Sequence, residues 1–289
     1  MDLTSLQTLL LIFELCALAL GAILVGRLLN LPGFKPAGRW SGRLPYWPVE
    51  GAEMVLLIVL FLLLIIVCQG TFTHFFGRFI QAAADRKGLE VAIYGFAFHA
   101  GGLLAWPIFY LVRHRLFAAY NTNPPRPTET AAARGRWPGA LRAAGVTFLS
   151  ALPLVALVSV SWTGLLHLFG WPSEAQDMLA TFQNTRSPIV IAGMFFVACV
   201  LAPINEELFF RRGLYHFLRQ RFGRVIALAV SAGFFGLVHG NLAGFLPLAI
   251  FGVILALAYE RTGDIRVSII AHGLFNLNTI VALLSGLSG

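Results

Sequence analysis

The sequence predicts an all-α fold, a polytopic membrane bundle of about eight transmembrane helices, and three observations carry that expectation. Hydrophobic residues make up 58% of the 289 and charged residues 12%, with a mean hydropathy of +0.78, a balance foreign to soluble globular chains. The apolar residues collect into runs close to the roughly 20 residues that cross a bilayer core. Between the runs lie joints such as NLPGFKPAGRWSGRLPYWP and NTNPPRPTETAAARGRWPG, whose proline and glycine end helices.

The first run, from about Leu6 to Leu29, has no basic segment before it and is too long for the apolar part of a signal peptide. It is expected to stay as a span. The second and third run from about Met54 to Phe76 and from Val91 to Val112, and the fourth from Val146 to Leu168. The fifth, from Pro188 to Phe210, ends in the charged string EELFFRRG. The sixth, Val225 to His239, is the shortest, and Leu242 to Tyr259 and Val267 to Leu284 complete the set. Trp40, Tyr46, Trp47, Trp106, Trp137 and Trp171 fall near span ends, as an interfacial aromatic belt predicts. Cys16, Cys68 and Cys199 lie inside apolar stretches without metal or redox spacing, so they are expected to be small buried hydrophobes and not disulfides. The chain divides into an N-terminal region of three spans and a Pro/Arg-rich loop, residues 1–142, and a C-terminal region, residues 143–289.

Charge orients the bundle. Of 21 Lys and Arg, 17 fall in or beside the first, third, fifth and seventh joints, so the positive-inside rule places those joints in the cytoplasm and both termini outside. The net charge of +8 is thereby explained without nucleic acid, for which no binding motif is present.

Ionisable groups inside apolar runs are costly and mark function. Glu206 and Glu207 stand at the end of the fifth run, and His239 and His272 lie in later ones. At 1.5 Å per residue, Glu206 and His239 come out about 18 and 21 Å from the cytoplasmic ends of their helices, while His272 and Asn276 are shallower, at about 9 and 15 Å. Glu207 and Arg211 are spaced i,i+4 in the favourable order for an ion pair, which leaves Glu206, about 100° around the helix, available as a base. Phe235 and His239 share the same spacing, as do His272 and Asn276. A carboxylate helped by a histidine can activate water, and a second histidine with an amide can stabilise an oxyanion. Glu206, His239 and His272 are equally a catalytic zinc set, although no HExxH pair fixes two ligands on one turn.

The strings EELFFRRG, FGLVH and HGLFN resemble the ordered motifs EExxxR, FxxxH and HxxxN of the CPBP or Abi family, over about Pro188 to Leu284. That family includes type II CAAX-processing prenyl endopeptidases and bacteriocin-processing or immunity-associated proteins. The resemblance implies a glutamate-type intramembrane protease needing no cofactor, with zinc as the alternative because members were first described as metalloproteases. It makes Glu206 and His239 the water-activating pair and His272 and Asn276 the oxyanion site, supported by Glu207, Arg211 and Phe235. It also implies a membrane-associated peptide or protein substrate and, by family habit, a bacterial plasma membrane. Arg212 stands where many members have glycine.

Other readings exist for the same residues. A lone histidine is ordinarily a satisfied core residue, Asn276 could bridge helices, and Glu206 could be a buried carboxylate paired with Arg212 or with another helix. Glu14 and His99 carry no motif and are expected to pair helices or make interfacial contacts, and His74, His114, His167 and His216 lie near wetter span ends. Gly233, Gly236, Gly240 and Gly244 suggest close helix approach. A transporter would show duplicated halves, and no internal repeat is found. A non-catalytic scaffold of the same fold would tolerate loss of Glu206.

Overall fold

A computed structural model describes residues 3–29, 44–117, 137–171, 181–182 and 184–285. All regular structure among them is helical. Four long helices come first: α1 (Leu3–Leu28), α2 (Gly51–Ala82), α3 (Arg86–Phe117) and α4 (Trp137–Leu168). A helical run then changes pitch repeatedly, through α5 (Pro188–Phe196), π1 (Val197–Leu201), α6 (Ala202–Glu207), π2 (Leu208–Tyr215) and α7 (His216–Leu237). Helices α8 (Leu242–Thr262) and α9 (Ile265–Leu284) follow.

Among the described residues, seven helices are long and apolar enough to cross a membrane, one of them the 50-residue run Pro188–Leu237. The eight spans expected from sequence differ only there, because the fifth and sixth form one helical run broken at Gly223. Its backbone, at φ 82° and ψ 177°, is a conformation open essentially to glycine alone. Beyond it the 224–237 limb returns against π2. Ser231 Oγ donates to the Phe210 carbonyl at 3.0 Å, and the Arg211 guanidinium lies 4.3 Å from the centre of the Phe235 ring.

The main apolar core joins the two regions of the chain. Ala17, Phe61 and Ala105 from α1, α2 and α3 belong to one cluster with Phe148, Phe209, Phe235, Phe251 and Ala271. Outer faces carry exposed Ile12, Leu62, Ile66, Leu157 and Val160, the surface an integral membrane protein presents to lipid.

Several sequence expectations change. Trp47 and Trp106 are buried and stacked with centroids 6.4 Å apart, facing the protein interior and not lipid, because the segment before α2 folds inward and is pinned. Arg221 Nη2 donates to Val49 O at 2.6 Å, and Arg113 bonds Pro48 O and pairs with Glu53 at 2.7 Å. The same segment buries His216, expected near water. Its Nε2 donates to Pro45 O at 2.7 Å, so its Nδ1 accepts from Tyr259 OH at 3.2 Å. Tyr46, Trp137 and Trp171 are exposed as expected, while Trp40 and the Asn123–Pro127 stretch lie outside the described residues. All three cysteines are free, but Cys16 is exposed on α1 and Cys68 and Cys199 are half-buried. Glu14 accepts from Asn278 Nδ2 at 2.8 Å, a helix-pairing contact.

Among the glycines thought to admit close helix contact, Gly236 does so. A Cβ there would fall 2.5 Å from Phe245 O, whereas Gly233 and Gly240 face open space. Gly236→Val therefore loses about 1–3 kcal/mol through overpacking against α8. Gly233→Ala, free of any neighbour, gains up to about 1 kcal/mol from helix propensity. Unfolding midpoints in detergent check the pair, and equal shifts would remove the close contact from the explanation.

Candidate active site

The geometry of the site begins with Pro203. A proline in a helix has no N–H to donate, and the Ala202 N–H reaches back five residues to Val197 O. The Ala198 carbonyl is thereby left without either helical donor, at four or five residues' distance. Asn276 of α9 supplies one, its Nδ2 lying 2.8 Å from Ala198 O. The π-helical widening, a feature that recurs at functional sites, thus fastens α9 to the stretch just before the two glutamates.

Glu207 and Arg211 form the expected ion pair at 3.0 Å, with side chains 0% and 1% exposed. Arg211 also donates to Gly252 O at 3.4 Å and lies on the face of Phe235, where its charge gains from the ring quadrupole. Glu207 has a second partner the sequence did not disclose, His272 Nδ1, at 2.8 Å. A carboxylate oxygen only accepts, so Nδ1 carries the proton and Nε2 is the ring atom left for other partners. Nε2 lies 3.8 Å from Glu206 Oε2. That oxygen is buried and has no hydrogen-bond partner among the described residues, although the Glu206 side chain as a whole is 19% exposed.

His239 sits in the turn just beyond the end of α7. The last carbonyls of a helix lack intrahelical donors, and His239 Nδ1 donates to one of them, Phe235 O, at 2.7 Å. Its free nitrogen is therefore Nε2, an acceptor while the ring is neutral. Phe235 is the wall shared by both imidazoles, with ring centroids 4.9 Å from His239 and 5.8 Å from His272.

Glu206, Glu207, Arg211, Phe235 and His272 thus form one contact cluster. Asn276 is anchored one turn along α9 from His272 and keeps one amide hydrogen beyond that given to Ala198. His239 joins through Phe235 rather than by a direct bond to Glu206. Arg212 is directed away, toward Tyr259 and Tyr110, so it is not the partner of Glu206. Zinc would need three donors around one point, and among the described residues no group of three His, Cys, Asp or Glu side chains is arranged to hold a metal.

The sequence reading did not foresee Asn205, which joins His99 to the site. His99 of α3 is 8% exposed and Asn205 fully buried, with His99 Nδ1 3.2 Å from Asn205 Nδ2. His99 also lies within electrostatic reach of Glu206 and His272. The helix pairing expected of His99 is present, and the available signal for its partner was a polar residue directly before the Glu-Glu pair. Nothing in their spacing joins residues 106 positions apart.

A family profile described as "Type II CAAX prenyl endopeptidase Rce1-like" matches residues 188–278. Among curated proteins, the chain is 28% identical over 129 residues to "Putative membrane peptidase YdiL" of Bacillus subtilis (strain 168), covering 44% of this chain and 52% of that protein. It is 32% identical over 92 residues to "UPF0177 protein YbdI" of Lactococcus lactis subsp. lactis (strain IL1403), covering 30% and 48%. The chain spans about half the length of the curated relatives it matches. No solved structure matches it significantly. The profile covers the stretch that carries Glu206, His239, His272 and Asn276, and over this stretch the chain is similar to the Rce1-like endopeptidases.

Proposed function

We propose that the protein is an intramembrane endopeptidase that hydrolyses a peptide bond of a membrane-associated peptide or protein. The observation that carries this reading is the buried Glu206 Oε2, without a hydrogen-bond partner among the described residues, facing His272 Nε2 at 3.8 Å. Glu206 takes a proton from water as the water oxygen attacks the scissile carbonyl, and passes it to the departing amine. His239 Nε2, an acceptor, orients the same water. His272, held by Glu207, donates from Nε2 to the developing oxyanion when its ring is doubly protonated, and the second amide hydrogen of Asn276 is the other donor. Donors fixed beforehand favour the transition state because they need no reorganisation during reaction. No step is routed through a metal. The positive-inside rule puts the basic joints in the cytoplasm, with both termini outside.

The test uses metal-analysed protein reconstituted with isolated membranes, with new peptide termini mapped by mass spectrometry. The wild type should generate termini whose yield falls about 10²-fold or more with His239→Ala. Identical termini at equal rates from both proteins would sink the mechanism. Stoichiometric zinc with chelator-sensitive cleavage would replace it with the metal version.

A further inference from the structure

A cleft of about 400 Å³ lies between α1, α4 and α8, within the size range of small-molecule sites. Leu24, Leu28, Ala143, Val146, Ile254 and Ala258 make an apolar wall, and Arg27, Arg142 and Arg261 also line it. No acidic residue is among its described lining. Arg27 and Arg142 are exposed. A second observation points to a ligand. Ser150 also lines the cleft and is 3% exposed, and its Oγ has no hydrogen-bond partner among the described residues. A buried hydroxyl with no acceptor is unfavourable, and more so at membrane depth.

We infer that this cleft binds one anionic phospholipid, its phosphate held by Arg27, Arg142 and Arg261 and an acyl chain lying along the apolar wall. The chemistry is complementary at both ends. Arginine forks match phosphate oxygens, basic pockets between transmembrane helices bind anionic headgroups, and a glycerol-ester carbonyl is an acceptor for the Ser150 hydroxyl. A zwitterionic lipid brings its own cation to the three arginines and is disfavoured. None of these residues belongs to the Glu206 cluster, so the inference stands apart from the proposed hydrolysis.

Native mass spectrometry of the purified protein tests it, with phosphatidylglycerol and phosphatidylcholine of identical chains added in equal amounts. The wild type retains phosphatidylglycerol preferentially. Each arginine near the headgroup contributes about fivefold, so Arg27→Gln/Arg142→Gln lowers that retention about 25-fold. Val146→Phe fills the cleft without changing charge and lowers retention as well, which keeps a readout if the arginine variant fails to fold. Equal retention of the two lipids overturns the proposal. So does full retention in Val146→Phe, which would place the lipid on the general basic surface. Complete displacement by glycerol phosphate alone would show a free-anion site instead.

Discussion

Glu206→Gln lowers cleavage by about 10²–10⁴-fold, the range of a general base, while the protein stays folded. Glutamine keeps the shape of the side chain and removes only the proton acceptor. Because Oε2 makes no hydrogen bond among the described residues, no structural contact of that oxygen is broken. Stability should change by no more than about 0.5 kcal/mol, or rise, since active sites hold groups that folding alone would not choose. Termini mapped as above give the activity, and thermal unfolding in the same detergent gives the stability. A variant that cleaves at the wild-type rate would remove Glu206 from the chemistry. One that loses activity only in proportion to lost folded protein would make it a structural residue.

What the sequence revealed about this site depends on how far each contact reaches. The Glu207–Arg211 pair was legible because four residues along a helix place two side chains on one face, and the pair is present. The same rule found Phe235 beneath His239. The Glu207–His272 bond crosses 65 positions, and no periodicity within one helix encodes which neighbour it meets. Trp47 and Trp106 failed for a related reason. Hydropathy and span ends estimate depth along the bilayer normal, whereas burial depends on which way a side chain faces across it. Asn276 shows an intermediate case, since Pro203 announces a carbonyl without its helical donor but not which residue will supply one. The bundle itself was readable apart from the run broken at Gly223, because length and apolar composition alone dictate which segments can cross lipid.

The contrasting prediction concerns the neighbouring glutamate. Glu207→Gln or Arg211→Met, each alone, destabilises the protein by about 3–5 kcal/mol, the penalty for leaving one member of a buried pair uncompensated. Both side chains are essentially inaccessible, at 0% and 1% exposure, so water cannot replace the missing partner. Glutamine at 207 still offers an oxygen to His272 Nδ1 but leaves the guanidinium without its counterion, whereas methionine at 211 leaves the carboxylate with His272 alone. The double variant should cost less than the sum of the two, by about 0.5–3 kcal/mol, because residues in direct contact couple. Equilibrium unfolding of all four proteins in one detergent provides that cycle. Single-variant losses below about 1 kcal/mol, the value of an exposed pair, would contradict a buried structural role. Together with a stable but inactive Glu206→Gln, a large loss here would separate two adjacent carboxylates into one that holds the helices and His272 in place and one left free to react.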